Sequence, residues 1–381
     1  MTGESFARQA IFVRNKDANV LPPPVSTRGF VATIRQNLFA SAASSLMTIA
    51  AFALVAAVLP ALLRFLIFDA VWSAPDGELC RATRAGACWA FIARKLPYFT
   101  YGSYPLDQRW RVDVMFGLSF VLIAWLLWLG APARRLAAIL FFLIYPILGF
   151  VLLHGAPSLG LPIVDTDLWG GIFVSLIVAI TGIVISLPLG ILLAMGRRSP
   201  LPLLAIFSTG FIEFVRGVPM ITVLFMANFM LPLFVPENLA PDRLLRPVIG
   251  VALFASAYMA EVVRGGLQAI PKGQMEGAEA LGLRPWQTMQ LIILPQALTH
   301  VIPGIVNTFI GLFKDTTLVA AVGIFDFLRT VDSARLDPAW AGPAISATGY
   351  AFAAIFYFLF CFGISRYSLF VERRLARKRR R

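Results

Sequence analysis

The sequence predicts an all-α polytopic membrane protein with about eight transmembrane helices, and three observations carry that prediction. Of its 381 residues, 59% are hydrophobic and only 14% charged, whereas soluble domains carry about 25% charged residues to cover themselves in water. The apolar residues fall in long runs of the length a bilayer requires, about 20 residues for a hydrocarbon core of about 30 Å. The basic residues gather at the ends of those runs: of 33 Lys and Arg, eight lie between Arg366 and Arg381 beside the last run, the juxtamembrane pattern that faces anionic lipid. A soluble enzyme is excluded by the first observation, and a disordered chain by the 32 Phe and 8 Trp. The net charge of +13 reads as contact with membrane lipid, not with nucleic acid.

The eight runs are 38–68, 112–130, 136–154, 169–195, 201–234, 247–268, 288–313 and 343–370. The first starts after Arg35 and is too long and too late for a cleaved signal peptide, so it is retained, with Arg64 near its far end snorkelling to the interface. Placing both termini on one side assigns 1–37, 131–135, 196–200, 264–287 and 366–381 to that side. These segments hold 20 Lys and Arg, against 11 in 69–111, 155–168, 235–246 and 314–342. The positive-inside rule therefore makes the first side cytoplasmic and the chain a multi-pass membrane protein with both termini on that side.

Two halves follow. Residues 1–168 hold a cytoplasmic tail with Pro22, Pro23 and Pro24, three spans, and an external insertion dense in aromatics: Trp89, Phe91, Tyr98, Phe99, Tyr101, Tyr104 and Trp110. Such residues suit the membrane-interface belt, or else a docking surface for an external protein. Cys80 and Cys88 share that insertion, where an oxidising compartment permits either a disulfide or two free thiols. Cys361 lies in the last span. Residues 169–370 hold five spans and nearly all the unusual polar chemistry, and 371–381 form a basic cytoplasmic tail. Neither cysteines nor the two histidines stand at zinc-ligand spacing, so no metal is expected. His154 and His300, each alone near the end of a run, read as packed or interfacial residues.

The most informative stretch is cytoplasmic, 270–287. Met275 to Leu281 reads as a short helix with Glu276 and Glu279 on one face, Gly282 as its left-handed stop, and Pro285 as the first turn of a second helix. Ala278, Leu281 and Trp286 then offer a small apolar knob for a partner's groove. Helices this short are unstable alone, so the element packs on its own spans, on a partner, or on both. An ordinary connecting loop is the alternative.

Glu276, Ala278, Gly282, Ile292, Leu294 and Pro295 resemble the EAA loop of the membrane subunits of ATP-binding-cassette (ABC) importers, in which Glu-Ala-Ala is followed by Gly and later by Ile-x-Leu-Pro. Gly277 stands where the family has the central alanine, a change of about 1 kcal/mol in helix propensity that alters no spacing. Phe211-Ile-Glu-Phe-Val-Arg-Gly-Val-Pro-Met-Ile221, Ala260-Glu-Val-Val-Arg-Gly-Gly-Leu-Gln-Ala-Ile-Pro-Lys-Gly-Gln274 and Lys314-Asp-Thr-Thr-Leu-Val319 extend the resemblance to the polar amino-acid permease branch, the histidine/glutamine type. Tyr101-Gly-Ser-Tyr-Pro105 and Arg109-Trp-Arg-Val-Asp113 resemble the long form found in general L-amino-acid or glutamate/glutamine importers. The resemblance implies a type I importer core of five helices over 169–370 and a loop that docks on a separate ATPase dimer. It also implies a second permease subunit, a paralogue or a second copy, and an external amino-acid-binding protein. The chain has no GxxxxGK[ST] loop, so it is expected not to be an enzyme; it holds no cofactor, and ATP and Mg bind the partner ATPase. Glu276, Ala278, Glu279, Leu281, Gly282 and Trp286 are the expected coupling residues.

Within the core, Glu213 and Arg216, and Glu261 and Arg264, each stand three apart on a helix face. Ion pairs lower the cost of such groups near hydrocarbon, and the structural reading makes both sets ion pairs within or between helices. The functional alternative places Glu213, Arg216, Lys314, Asp315 and Thr316 along a substrate pathway, with both signs of charge serving a zwitterion. Gly217-Val-Pro219, Pro188 with Gly190, and Pro303-Gly304 are helix-breaking positions that suit hinges. A secondary transporter or channel, or a membrane-embedded transferase, remains the competing class; ATP-independent uptake selects the former, clustered carboxylates or histidines at a membrane face the latter.

Overall fold

The computed structural model describes residues 29–81, 86–128, 130–236 and 239–379. The Pro-rich start with Pro22, Pro23 and Pro24 lies outside the described residues, as do Arg380 and Arg381. The chain divides into two compact units at Phe68. In the first, α1 (Phe30–Leu38) is followed by α2 (Ala42–Leu63), which a Ser41 capping box starts and a π turn over Arg64–Phe68 extends. Arg64 is exposed near the end of this span.

The second unit contains α3 (Trp89–Tyr101), α4 (Trp110–Leu127), α5 (Arg134–Ile139), α6 (Tyr145–His154), strand β1 (Gly170–Gly171), α7 (Ile172–Gly196), α8 (Pro202–Gly217), α9 (Met220–Phe225) and α10 (Leu231–Phe234). There follow α11 (Leu245–Gln268), α12 (Lys272–Ala280), α13 (Pro285–Gln287), α14 (Leu294–His300), α15 (Ile302–Asp315), strand β2 (Phe325–Asp326), α16 (Phe327–Ala334) and α17 (Pro343–Arg379). Among the described residues, seven helical stretches are long and apolar enough to span a membrane, and a bent pair makes an eighth if it is counted as one span.

Proline shapes several of these helices. Its ring has no N–H and clashes with the carbonyl four residues back, and three times the chain widens into a π turn two residues before it. The turns are Leu140–Ile144 before Pro146, Met226–Met230 before Pro232, and Thr288–Ile293 before Pro295. In each, the residue just before proline donates to the carbonyl five back: Tyr145 to Leu140, Leu231 to Met226, Leu294 to Met289. Pro188, by contrast, sits inside an unbroken α7, and Pro303 in the first turn of α15. Of the three expected break positions, Pro188 with Gly190 breaks nothing, Pro303-Gly304 follows directly on a break at Val301, and Gly217-Val-Pro219 interrupts its helix strongly. The run 201–234, expected as one span with this helix-breaking position inside it, is bent by 110° there.

The bend does not cancel the crossing. α7 and α11 pack in parallel. A Cβ at Gly182 would lie 3.2 Å from Val251 Cγ1, and one at Gly190 would lie 2.7 Å from Met259 Cβ. Since α7 has 25 residues and a helix rises 1.5 Å per residue, the chain between them must climb back about 37 Å, and α8 to α10 make that return. α15 runs antiparallel to both: Gly304 faces Val262 at the end where α11 finishes, and Leu312 reaches Gly182. The expected run 288–313 is displaced. A break at Val301 separates α14 from α15, and the span is Ile302–Val322, carried past Asp315 by a 3₁₀ turn. Lys314 and Asp315 therefore lie within a span and not in the external segment that the apolar run implied.

At the opposite end, β1 pairs in parallel with β2, and Gly102, at φ +61°, crosses so close to Gly170 that no side chain fits between them. Cys80 and Cys88 are joined by a disulfide, and both are fully buried. Arg81 donates to the carbonyls of Pro338, Ala339 and Ala341, and Lys95 pairs with Asp337. Here part of the aromatic insertion departs from both expectations, while Trp110 stays exposed. Phe91, Phe99 and Tyr104 are buried; Phe91 packs on Trp340, and Phe99 on Phe327 and Phe352. Phe91 and Phe99 belong to an internal core that fastens α3 to α16 and the start of α17, and Tyr104 packs on Trp169 and on Phe173 of α7. Sequence composition cannot separate these outcomes, because aromatics suit a belt and a core equally well.

Candidate functional site

The segment between α11 and α15 leaves the end of the molecule opposite the β1–β2 pair. α12 begins at Lys272, earlier than Met275, and stops as expected. Gly282 holds φ +74°, and the N–H groups of Leu283 and Gly282 donate to the carbonyls of Ala278 and Glu279, the paired bonds of a Schellman stop. A Cβ at Gly282 would meet nothing within 4 Å, so the residue is required for its backbone angle and not for space. Pro285 opens α13, which lasts three residues before the π turn takes over. Gln287 accepts from the Arg284 N–H, and Gln296 donates to Gln274, tying α12 to α14.

Exposure sorts the expected coupling residues. Glu276, Glu279, Leu281 and Trp286 are exposed, Leu281 at 79%. Ala278 is 2% exposed, which removes it from the apolar knob. It is the buried face of α12, and only a small side chain lets this helix lie flat on the chain. Leu281 and Trp286 project from either side of the Gly282 turn as apolar groups flanked by two carboxylates.

One helical turn above the loop, five ionised side chains lock three helices together. Glu261 on α11 accepts from Arg264 at 2.7 and 2.9 Å and from Arg197 at 2.7 Å, and Arg216 approaches it at 3.7 Å. Arg197 also pairs with Glu213 at 2.9 Å, and Arg264 continues to Gln268 at 2.8 Å. Glu261 and Arg264 pair within their helix. Glu213 and Arg216 do not: the arginine lies toward α11, with its guanidinium 5.7 Å from the Tyr258 ring, and the glutamate turns to the end of α7. Arg197 links the two carboxylates, a role its place in a short connecting segment did not suggest. Three arginines against two glutamates leave one net positive charge, and Glu261, with a side chain 15% exposed, is the shared anion that makes their proximity tolerable.

The other proposed pathway residues, consecutive at the end of α15, stay apart from this network. Thr316 is buried and donates to the Phe313 carbonyl at 2.8 Å, Asp315 is half-buried, and Lys314 is exposed. Neither Lys314 nor Asp315 has a salt bridge among the described residues, and neither reaches the Glu261 network. His154 stacks on Phe150, and His300 ends α14.

A family profile described as "Binding-protein-dependent transport system inner membrane component" matches residues 186–377. The inner membrane amino-acid ABC transporter permease protein YhdY of Escherichia coli is 50% identical over 341 residues, covering 90% of this chain and 92% of YhdY. The glutamate/glutamine/aspartate/asparagine transport system permease protein BztC of Rhodobacter capsulatus is 42% identical over 436 residues, covering 97% and 99%. Both similarities reach well before residue 186 and take in the N-terminal spans. Among solved structures, an amino acid ABC transporter with histidines matches at 26% identity and a TM-score of 0.47, over 54% of this chain and 92% of that one.

Proposed function

Because the chain belongs to the family of inner membrane components of binding-protein-dependent transport systems, we propose that it moves L-amino acids, of the glutamate/glutamine group or more broadly, through the bacterial inner membrane. It is a permease subunit of an ABC importer. In our reading its termini and the loop 270–287 are cytoplasmic, and the loop docks on one subunit of an ATPase dimer that binds ATP and Mg. A second permease subunit, a paralogue or another copy, completes the pathway, and an external binding protein delivers the solute.

The observation that carries this reading is the exposure of Leu281 and Trp286 around a rigid turn, with Glu276 and Glu279 beside them. Apolar side chains outside the hydrocarbon region gain by burial in a partner's groove, and the carboxylates suit basic or hydrogen-bond-donating groups there. Motion of a docked ATPase would reach the bilayer through Gln268 and the Glu261 network, which binds the root of the loop to α7 and α8. The three helices would then tilt together, switching the pathway between outward-open and inward-open arrangements.

The test is reconstitution of the chain with its ATPase, companion permease and binding protein in liposomes. Uptake of L-glutamine or L-glutamate that requires ATP, and ATP hydrolysis stimulated by the loaded binding protein, are expected. Uptake by the purified chain alone without ATP overturns the reading.

A further inference from the structure

We propose that the cavity at the end opposite the coupling loop binds the backbone groups of an α-amino acid, with Arg246 holding the carboxylate and Asn228 Oδ1 accepting from the ammonium. The proposal rests on the amino-acid permease reading and gives it a site. The cavity measures about 660 Å³ and is lined by Asn228, Phe229, Arg243, Arg246, Val322 and Gly323, among others.

Asn228 is the first observation. It sits in the π turn Met226–Met230, within an otherwise apolar stretch, and is 6% exposed. Its Oδ1 is buried and has no hydrogen-bond partner among the described residues. A buried acceptor left unmatched costs about 1–3 kcal/mol, and the residue that carries this one lines a cavity large enough to admit a donor. Arg246 is the second. Its Nε donates to the Pro241 carbonyl at 2.8 Å, and Nη1 lies 3.5 Å from the Asn228 carbonyl. These contacts hold the guanidinium beside the π turn, yet no carboxylate among the described residues neutralises it. The neighbouring cation is committed elsewhere: Arg243 pairs with Asp167 at 2.9 Å and donates to the Gly323 carbonyl, so it serves as wall. An unneutralised donor fork beside an unmatched amide oxygen fits the two charged groups on the α-carbon of an amino acid. Phe229 and Val322 leave an apolar side for the stem of the side chain.

The placement links the site to the motor. Arg246 lies in the first turn of α11 and Gln268 in its last, about 33 Å apart along one helix. Ala321 and Gly323, on the far wall, end the 3₁₀ turn that follows α15. A solute held here bridges the start of α11 and the end of α15, two elements whose other ends flank the coupling loop.

The test uses the complete importer in nanodiscs, with Cys361→Ser to remove the free thiol and Ala321→Cys labelled by a membrane-impermeant maleimide. L-Glutamine should protect the thiol introduced at Ala321 from labelling, whereas 4-aminobutanamide, which lacks the carboxylate, and N-acetyl-L-glutamine, which lacks the ammonium, should not. Asn228→Ala and Arg246→Gln should each raise the half-protecting L-glutamine concentration at least tenfold, with Arg246→Lys between them and the unsubstituted site. Equal protection by all three compounds, or none by L-glutamine, overturns the proposal even if either variant fails to assemble. Intact L-glutamine uptake without protection sinks this site alone; absence of uptake of both L-glutamine and L-glutamate by the complete importer sinks the permease reading with it.

Discussion

Substituting Gly282 separates the shape of the coupling loop from its chemistry, because this residue contributes an angle and no contacts. At φ +74° an alanine is strained by roughly 1–2 kcal/mol, and the open space around the position adds no clash. Asparagine, which enters the left-handed region more readily, should cost less. Proline is worse on two counts: its ring fixes φ near −65°, and it deletes the N–H that donates to Glu279, a bond worth about 1 kcal/mol. If the ATPase reads the loop only in its folded form, Gly282→Ala should weaken docking by roughly 5- to 30-fold, Gly282→Asn by less, and Gly282→Pro should abolish docking and uptake. The measurement is the affinity of the ATPase subunit for the permease in nanodiscs, with membrane insertion of each variant confirmed separately. Alanine within twofold of glycine, or proline no worse than alanine, would refute the claim that the turn presents Leu281 and Trp286 to the partner.

Glu276→Arg reverses charge on the exposed face of α12 and should eliminate uptake without altering insertion, which a transport assay beside a membrane-fraction blot will decide. Glu261→Gln removes the shared anion from three arginines; we expect a loss on the order of 2 kcal/mol, below the 3–5 typical of a fully buried pair, and ATP hydrolysis that no longer tracks uptake. Gly190→Val drives a branched side chain into Met259 and the Ala260 backbone and should lower the melting temperature more than the same change at Gly210, where a Cβ meets nothing. Asp326, buried at the start of α16, has its carboxyl pushed up to about 7 by burial, against the lowering effect of the Leu328 and Arg329 N–H groups. The folded state then holds a proton that the unfolded chain releases near pH 4. Stability should fall as pH rises from about 4 to 7, by no more than about 4 kcal/mol, and level off above. Asp326→Asn keeps the cap and should flatten that slope in melting curves taken across the range.

How much of this was legible in the sequence depends on whether local rules decide it. The stop at Gly282 and the start at Pro285 were legible because capping involves only adjacent residues. Chain reversal among α7, α11 and α15 was legible too, since the apolar runs alternate with polar connections regardless of packing. The beginning of the span at Ile302 was not: 288–313 is mainly apolar throughout, and only the backbone break at Val301 shows that its first half belongs to the loop side. Phe91 and Phe99 of the aromatic insertion were misread for a related reason, because their partners Trp340, Phe327 and Phe352 stand some 230 to 250 residues away, which no local pattern records.

The ion network marks the boundary most sharply. Both sets were read as ion pairs within or between helices, and the structure divides them: Glu261 pairs with Arg264 in its own helix, whereas Glu213 and Arg216 each find a partner on another element, although the two sets look alike in sequence. The difference lies in the direction each side chain can find a better partner. Glu261 sits on α11 where the end of α7 and α8 both converge, so it gathers three cations. Glu213 is 57% exposed and reaches Arg197, whose position is fixed by the parallel packing of α7 on α11 and by nothing in its own neighbourhood. Pairing of charges in a helical membrane protein is thus decided by interhelical register, and that register is set here by glycines at 182 and 190 that let two helices approach closely. A network built this way transmits displacement, because moving α11 relative to α7 must break Arg197 from Glu261 or carry α8 along.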